Sequence, residues 1–235
     1  MIVLFVLIAL LIAVEASTSL SRLSGYIIKC PEGGLILQSS LALLSRMVMF
    51  LFMPFLGYLS DTGGLGKSKI ELIALFSLFP LALFLVFYLR KQFVYLYINL
   101  ITRINEHGSF FNTGISLFRK SGTYSLTARN LRPLKSFYRL AFFAYLPYYL
   151  AWPMIIFLLN EFSEYRGLIL GLTSVFNGIN TIILTLFIDP RLIKLGKYKS
   201  LLSPIYSHLV LIRFYSSVVS LLLFTLFILA YLGLV

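Results

Sequence analysis

The side chains best suited to chemistry in this sequence are ionisable residues placed inside long apolar runs. In the first apolar run, Ile2–Ile28, the residues Glu15, Ser19 and Arg22 are spaced i, i+4 and i+7, which puts them on one face of a helix. In the second run, Arg46 has apolar sequence on both sides and Asp61 ends the run. A charged side chain at mid-bilayer costs on the order of 3 kcal/mol. Each charge is therefore predicted to face a partner, a cavity or a ligand.

Polar residues recur at helical spacing in three of the apolar runs after the first. In the second run they are Ser39 and Arg46. In the fifth run they are Thr173, Asn177, Asn180, Thr181 and Asp189. In the sixth run they are Arg213, Ser216, Ser217 and Ser220. Four runs therefore each carry a polar stripe.

If these stripes face one another, they enclose a hydrated, net-positive cavity lined by Arg22, Arg46 and Arg213 and balanced in part by Glu15. Arginine keeps its charge when desolvated and binds phosphate through two N–H groups at once. Converging arginines within a membrane therefore suit a phosphate or pyrophosphate group on a lipid. The predicted site therefore indicates a carrier or flippase for a polyprenyl-pyrophosphate sugar.

Structural alternatives exist for the same residues. Serine and threonine stripes also let helices pack closely. Arg22, Arg213 and Asp189 lie near the ends of their runs and can extend to the membrane interface. Arg46 lies too deep for that, which leaves either a buried pair with Glu15 or contact with an anionic substrate.

Signatures of membrane-embedded catalysis do not occur in the sequence. There is no HExxH motif or P-loop, Cys30 is the single cysteine, and His107 and His208 are predicted to lie in polar loops. Glu15, Asp61 and Asp189 could bind Mg²⁺ only if the fold brought them together. We therefore predict no catalytic residue, metal or cofactor; an enzyme acting on a polyprenyl-phosphate lipid is the alternative.

Composition requires that lipid be the surrounding solvent. Of 235 residues, 60% are hydrophobic and only 12% are charged, whereas soluble domains carry about 25% charged residues; the mean hydropathy is +0.94. Too few polar side chains remain to form a soluble surface. The net charge is +12, and the basic residues fall between the apolar runs. This distribution indicates membrane topology and not a nucleic-acid partner.

Six runs reach the length of about 20 residues that a spanning helix needs. The sequence therefore predicts an all-α bundle forming one transmembrane domain over residues 1–235. The predicted spans are Ile2–Ile28, Gly34–Ser60, Ile70–Leu89, Phe137–Asn160, Gly167–Ile188 and Leu211–Leu234.

Basic connections predict the orientation. Nine Lys and Arg lie between Arg90 and Arg139, and five lie between Asp189 and Arg213, each stretch with one acidic residue. Both connections are predicted to be cytoplasmic, which places both termini outside. Cleavage after the first run would reverse the loops, so we expect Ile2–Val14 to be retained as part of the first span.

The connection over residues 90–136 is long for a compact bundle. Its first part, Phe93–Ile104, mixes apolar, aromatic and basic residues and predicts an interfacial amphipathic helix. The rest, Asn105–Pro133, is rich in Gly, Ser, Thr and Asn and is predicted to be a loop on the anionic cytoplasmic leaflet.

An ordered set of charged, Gly and Pro positions resembles the Amj family, the alternate lipid II flippases of bacteria. The resemblance covers the first two and last two spans. It rests on Glu15, Ser21–Gly25, Ser40-Leu41, Leu44–Arg46, Pro54–Gly57, Asp61, Phe176–Leu184, Phe187–Pro190 and Ile212-Arg213.

The resemblance implies a multi-pass protein of the bacterial plasma membrane that moves lipid II, an undecaprenyl-pyrophosphate-linked peptidoglycan precursor, to the outer face for cell-wall synthesis. Arg22, Arg46 and Arg213 would then receive the pyrophosphate, with Glu15 pairing an arginine in the empty state. Asn177 and Asn180 would contact sugar or peptide, and Asp61 and Asp189 complete the set of eight residues predicted to bind substrate. Another anionic lipid-linked sugar is the alternative cargo.

Overall fold

A computed structural model of the chain describes residues 2–62, 69–107, 134–196 and 198–234. All regular elements in these ranges are helices. The long helices are α1 (Ile2–Ile27), α2 (Pro31–Asp61), α6 (Lys135–Glu161), α7 (Arg166–Ile183) and α9 (Lys199–Leu234). The shorter ones are α3 (Lys69–Phe76), α4 (Leu78–Tyr88), α5 (Arg90–His107) and α8 (Asp189–Leu195).

Six helical segments are long and apolar enough to cross a membrane, so the predicted all-helical, six-span architecture is confirmed in these ranges. The third span is α3 followed by α4, with a break at Ser77. The fifth span is α7 and α8 joined by one π-helical turn, Leu184–Ile188. The orientation of the bundle stays a prediction.

The sixth helix is longer than the sequence suggested. It begins at Lys199 instead of Leu211, so the expectation of a loop around His208 is wrong. The His208 Nδ1 lies 2.9 Å from the Pro204 carbonyl oxygen, and its ring stacks on Tyr138. His208 is therefore part of α9 and packs on α6 through Tyr138.

Two spans form the centre of the bundle and two lie at its edge. In the most apolar window of α1, 67% of residues are buried, and in α6 61% are. The corresponding shares are 19% for α2 and 17% for the fifth span. α2 and α7 therefore present most of their surface to the lipid.

Aromatic side chains hold one end of the bundle together. Phe76 packs edge to face on Phe5, Phe79 and Phe224, with ring centroids 4.7, 5.1 and 5.5 Å apart. The four rings come from α1, α3, α4 and α9. Edge-to-face pairs contribute beyond the area they bury, so this cluster joins the N-terminal span to the last one.

α1 and α2 form a hairpin with unusually close backbones. Glycines make this possible, because a Cβ on Gly34 would lie 2.9 Å from the Ser21 carbonyl oxygen and 3.0 Å from the Gly25 Cα. The turn between the helices contains Lys29 at φ 59°, in the left-handed region that L residues seldom adopt. This hairpin fixes the relative height of the polar residues on the two helices.

α5 covers the hairpin. Its apolar residues Val94, Tyr97, Ile98 and Ile101 are buried, and the Ser24 hydroxyl donates to the Val94 carbonyl oxygen at 3.2 Å. The predicted amphipathic helix therefore exists, with its apolar face packed on protein. Residues 108–133, where a loop was predicted, lie outside the described residues.

The close hairpin predicts that a larger side chain at Gly34 destabilises the fold. Gly34→Leu should lower the melting temperature of the detergent-purified protein by several degrees, because overpacking costs about 1–3 kcal/mol. Gly171→Leu is the control, since a Cβ there meets nothing within 4 Å. Equal melting temperatures for the two variants would contradict close hairpin packing.

The predicted orientation can be tested with single cysteines in a Cys30→Ser background. Cys30 itself is a poor probe because it is half-buried and accepts a hydrogen bond from the Asn105 amide at 3.2 Å. Glu164 and Arg191 are both exposed and lie at opposite ends of the fifth span. Glu164→Cys should react with an impermeant maleimide on intact cells, and Arg191→Cys only after permeabilisation; the reverse pattern would invert the topology.

Candidate functional site

A cavity of about 420 Å³ lies among the polar faces of four spans, with α6 adding to its wall. Seven of the eight residues predicted to bind substrate line it. They are Glu15, Arg22, Arg46, Asn177, Asn180, Asp189 and Arg213. The fold thus brings together residues up to 198 positions apart in the sequence.

Arg22 and Asp189 form an ion pair at one end of the cavity. The Arg22 Nη1 lies 2.9 Å from the Asp189 Oδ1, joining α1 to the start of α8. The Arg22 side chain is only 9% exposed and that of Asp189 30%. A buried guanidinium needs such a partner, and the pair leaves this end of the cavity without net charge.

The π-helical turn sets the position of Asp189. Leu184–Ile188 adopts this wider turn directly before Asp189-Pro190, and Pro190 has no N–H to give to a regular helix. Single π turns re-aim the residues that follow them and occur often at functional sites. Here the turn allows one span to present both its asparagines and Asp189 to the cavity.

Arg213 is buried at the centre of the bundle. Its Nη1 donates to the Glu15 backbone carbonyl oxygen at 2.9 Å, and its Nη2 donates to the Tyr145 hydroxyl at 2.8 Å. The guanidinium also lies 4.4 Å from the centroid of the Tyr145 ring. Arg213 therefore joins α9, α1 and α6.

The Glu15 carboxylate accepts a hydrogen bond from the Tyr148 hydroxyl. We expected it to pair with an arginine, but in the described ranges its carboxylate forms no ion pair; Arg213 contacts its backbone instead. The charge of Glu15 thus borders the cavity without being neutralised by direct contact.

Arg46 differs from the other two arginines. Its side chain lines the cavity and is exposed, and it makes no hydrogen bond or ion pair with any residue of the described ranges. The alternative of a buried Arg46–Glu15 pair is wrong for this arrangement of the helices. Arg46 is therefore the cation whose full hydrogen-bonding capacity remains open toward the cavity.

The polar stripe of α7 faces the cavity along its whole length. Thr173, Asn177, Asn180 and Thr181 all line it. Asn180 is buried, and its Oδ1 has no hydrogen-bond partner among the described residues. An unsatisfied buried amide oxygen is costly, so this group indicates a position for water or a ligand donor.

Asp61 does not belong to the cavity. It ends α2 and forms an ion pair with Arg166. Its position is fifteen residues, or about 22 Å of helix, beyond Arg46. The fold therefore does not bring Glu15, Asp61 and Asp189 together. Within the described residues, no three His, Cys, Asp or Glu side chains lie close enough to hold a metal ion.

The serine stripe of α9 turns out to be a packing surface. Ser216 donates to the Phe142 carbonyl oxygen at 3.2 Å, and Ser220 donates to that of Leu146 at 2.9 Å. Both acceptors belong to α6. Of the polar residues predicted on this span, only Arg213 lines the cavity. The serines instead allow α9 and α6 to pack closely.

Several residues of the cavity wall were not predicted from the sequence. On α2, Gln38 lines it in place of the predicted Ser39, and Ser45 lines it beside Arg46. Tyr145, Tyr148 and Tyr206 also line it. Their signal was weak, because tyrosine hydroxyls are common at membrane interfaces and do not mark a cavity.

Comparison of the sequence with protein-family models and characterised proteins, and of the fold with solved structures, finds no match. The family resemblance therefore stays a prediction. The chemistry of the site has to be argued from its own residues.

The Arg22–Asp189 pair predicts a coupling energy between the two positions. Asp189→Ala should destabilise the protein, because it leaves a buried guanidinium unpaired, and adding Arg22→Met should restore part of the loss. A double-mutant cycle on melting in detergent should give about 0.5–3 kcal/mol of interaction. Additive losses would show that the two side chains do not depend on each other.

Proposed function

We propose that this protein is a flippase that moves lipid II, the undecaprenyl-pyrophosphate-linked peptidoglycan precursor, across the bacterial plasma membrane. The observation that carries the proposal is Arg46, a cation within a membrane-spanning helix that lines a cavity and has no protein partner in the described ranges. Such a charge is costly in a membrane unless it faces water or an anionic ligand.

The charge of the cavity suits a pyrophosphate. Three arginines line it against two carboxylates, which leaves one net positive charge. Arg22 is neutralised by Asp189, so the excess lies with Arg46 and Arg213. Guanidinium groups bind phosphate oxygens through paired N–H donors and stay charged inside a membrane.

The position of the cavity suits a ligand that already resides in the bilayer. Its walls include α2 and α7, the two helices with the least burial. Both carry apolar side chains toward lipid, for example Met47 on α2 and Ile182 on α7. A polyprenyl tail can remain among such side chains while the headgroup enters sideways between the helices.

The carboxylates favour a carrier over an enzyme. Metal-assisted or acid–base attack on a polyprenyl phosphate requires carboxylates or histidines that converge on the reacting atom. Glu15 is bound by Tyr148, Asp189 by Arg22, and Asp61 lies at the far end of α2 with Arg166. A flippase needs only binding and access from both sides. The resemblance to the Amj flippases agrees with this choice.

The proposal predicts that Arg46 is required for function and not for folding. In bacteria depleted of their other lipid II flippases, the wild-type chain should restore growth, whereas Arg46→Ala should not, although it reaches the membrane at the wild-type level. Met47→Ala, one position along on the lipid-facing side of α2, is the control and should rescue fully. Full rescue by Arg46→Ala would refute the binding role.

The cargo is tested in vesicles of defined composition. The reconstituted protein should move labelled lipid II faster than labelled phosphatidylglycerol. Faster movement of a different polyprenyl-phosphate sugar would assign the protein to another lipid-linked cargo, and equal rates for all lipids would indicate a general scramblase.

A further inference from the structure

The polar residues of the cavity form two layers along the bundle. Glu15 and Arg22 are seven residues apart on α1, Gln38 and Ser45 are seven apart on α2, and Tyr206 and Arg213 are seven apart on α9. Seven residues of helix rise about 10 Å. The Arg22 layer is Arg22, Gln38, Asp189 and Tyr206, and the Arg213 layer is Arg213, Glu15, Ser45, Arg46 and Tyr148.

Contacts between helices fix which residues share a layer. Arg22 reaches Asp189 directly, and Tyr206 lies close enough to Arg22 for the two to interact electrostatically. In the other layer, Arg213 reaches the backbone of Glu15, and Glu15 reaches Tyr148. Across the α1–α2 turn, Gly34 packs against Ser21 and Gly25, so the backbones of Gln38 and Ser45 lie about one helical turn beyond Arg22 and Glu15. Side chains lean toward the N-terminus of their helix, which for α2 brings Gln38 back toward the level of Arg22 and Ser45 toward that of Glu15.

The two layers differ in charge. The Arg213 layer has two arginines and one carboxylate, so it is positive. The Arg22 layer has one arginine and one carboxylate in direct contact, so it has no net charge. An anionic group is attracted to the first layer, whereas the Asp189 carboxylate opposes its entry into the second.

The Arg22 layer nevertheless has unused hydrogen-bonding groups. The Tyr206 hydroxyl, the Gln38 Oε1 and the Arg22 Nε are all buried atoms without a partner in normal hydrogen-bond geometry among the described residues. Tyr206 is fully buried and Arg22 is 8% exposed. Buried polar groups are seldom left without hydrogen bonds, because each missing bond costs free energy. This layer therefore suits a ligand that brings several donors and acceptors.

We propose that the Arg22 layer binds the uncharged sugar attached to the pyrophosphate, while the Arg213 layer binds the pyrophosphate itself. This assignment rests on the proposed function and moves Arg22 from pyrophosphate binding to sugar binding, together with its partner Asp189. The hydroxyl and acylamino groups of a sugar donate to the Gln38 amide oxygen and the Asp189 carboxylate. They accept from the Arg22 guanidinium and the Tyr206 hydroxyl. The site is thus selective for a glycosylated polyprenyl pyrophosphate over the bare carrier lipid.

The experiment compares two lipid probes on the purified full-length protein in nanodiscs, lipid II and undecaprenyl pyrophosphate. Gln38→Leu and Tyr206→Phe should each weaken lipid II binding about tenfold, as expected for the loss of a buried hydrogen-bonding group. Both should leave binding of undecaprenyl pyrophosphate unchanged, which also shows that the variants are folded. Arg46→Ala should weaken binding of both lipids.

Matched controls lie on the same helices, outside the cavity lining. Ser39→Leu is the control for Gln38→Leu, and Tyr215→Phe for Tyr206→Phe, because Ser39 and Tyr215 are exposed. Neither should change binding of either lipid.

The possible failures can be told apart. If the wild-type protein binds neither lipid, the proposed function itself is refuted. If it binds both with equal affinity and Gln38→Leu and Tyr206→Phe change neither, water satisfies these groups and the sugar layer is refuted. If both variants weaken the two lipids alike, their effect lies on the pyrophosphate site, which also overturns the assignment.

Discussion

The Arg213 guanidinium donates to the Glu15 carbonyl oxygen and to the Tyr145 hydroxyl, and the rest of the cavity depends on this interaction. A guanidinium buried among spanning helices cannot exchange its charge for a neutral form, so protein groups must take the place of water. The Glu15 carbonyl oxygen accepts this bond while its helix stays intact, and it also accepts from the Thr18 hydroxyl at 2.7 Å. With α1, α6 and α9 held together in this way, the Glu15 carboxylate is left to accept from Tyr148 and to border the cavity.

Tight packing on one side of the bundle permits openness on the other. Gly25 and Gly34 bring the α1 and α2 backbones into contact near their turn, and the serines of α9 bond to the α6 backbone. These contacts make α1 and α6 the buried centre. α2 and α7 remain at the edge and make few contacts with each other, so these two helices can separate at low cost while α2 stays packed on α1. For the proposed flippase, a headgroup site between these two helices would be accessible from the lipid without opening the centre of the fold.

For the proposed flippase, the division of the cavity into a charged layer and a neutral layer would have a consequence for transport. A site that held a pyrophosphate with all three arginines would bind it tightly and release it slowly. Neutralising Arg22 with Asp189 limits the positive charge to one layer, and uncharged hydrogen bonds at the other layer contribute selectivity at a smaller cost to release. A carrier needs this balance, since binding must be reversible on both sides of the membrane.

The sequence by itself determined the solvent, the fold class and the span count, because hydropathy over about 20 residues depends on no distant contact. It also identified Glu15, Arg22, Arg46 and Arg213, since a charge inside an apolar run is informative wherever the helix packs. Only the tertiary structure decided which groups meet. Helical periodicity does not fix the rotation of a helix to better than about one residue, so Gln38 and not Ser39 lies in the cavity wall. Hydroxyl residues at similar spacing line the cavity on α7 but pack against α6 on α9. The ion pairs of Arg22 with Asp189 and of Asp61 with Arg166 join residues far apart in the chain. Local sequence patterns depend only on neighbouring residues, so they cannot predict which distant side chains meet.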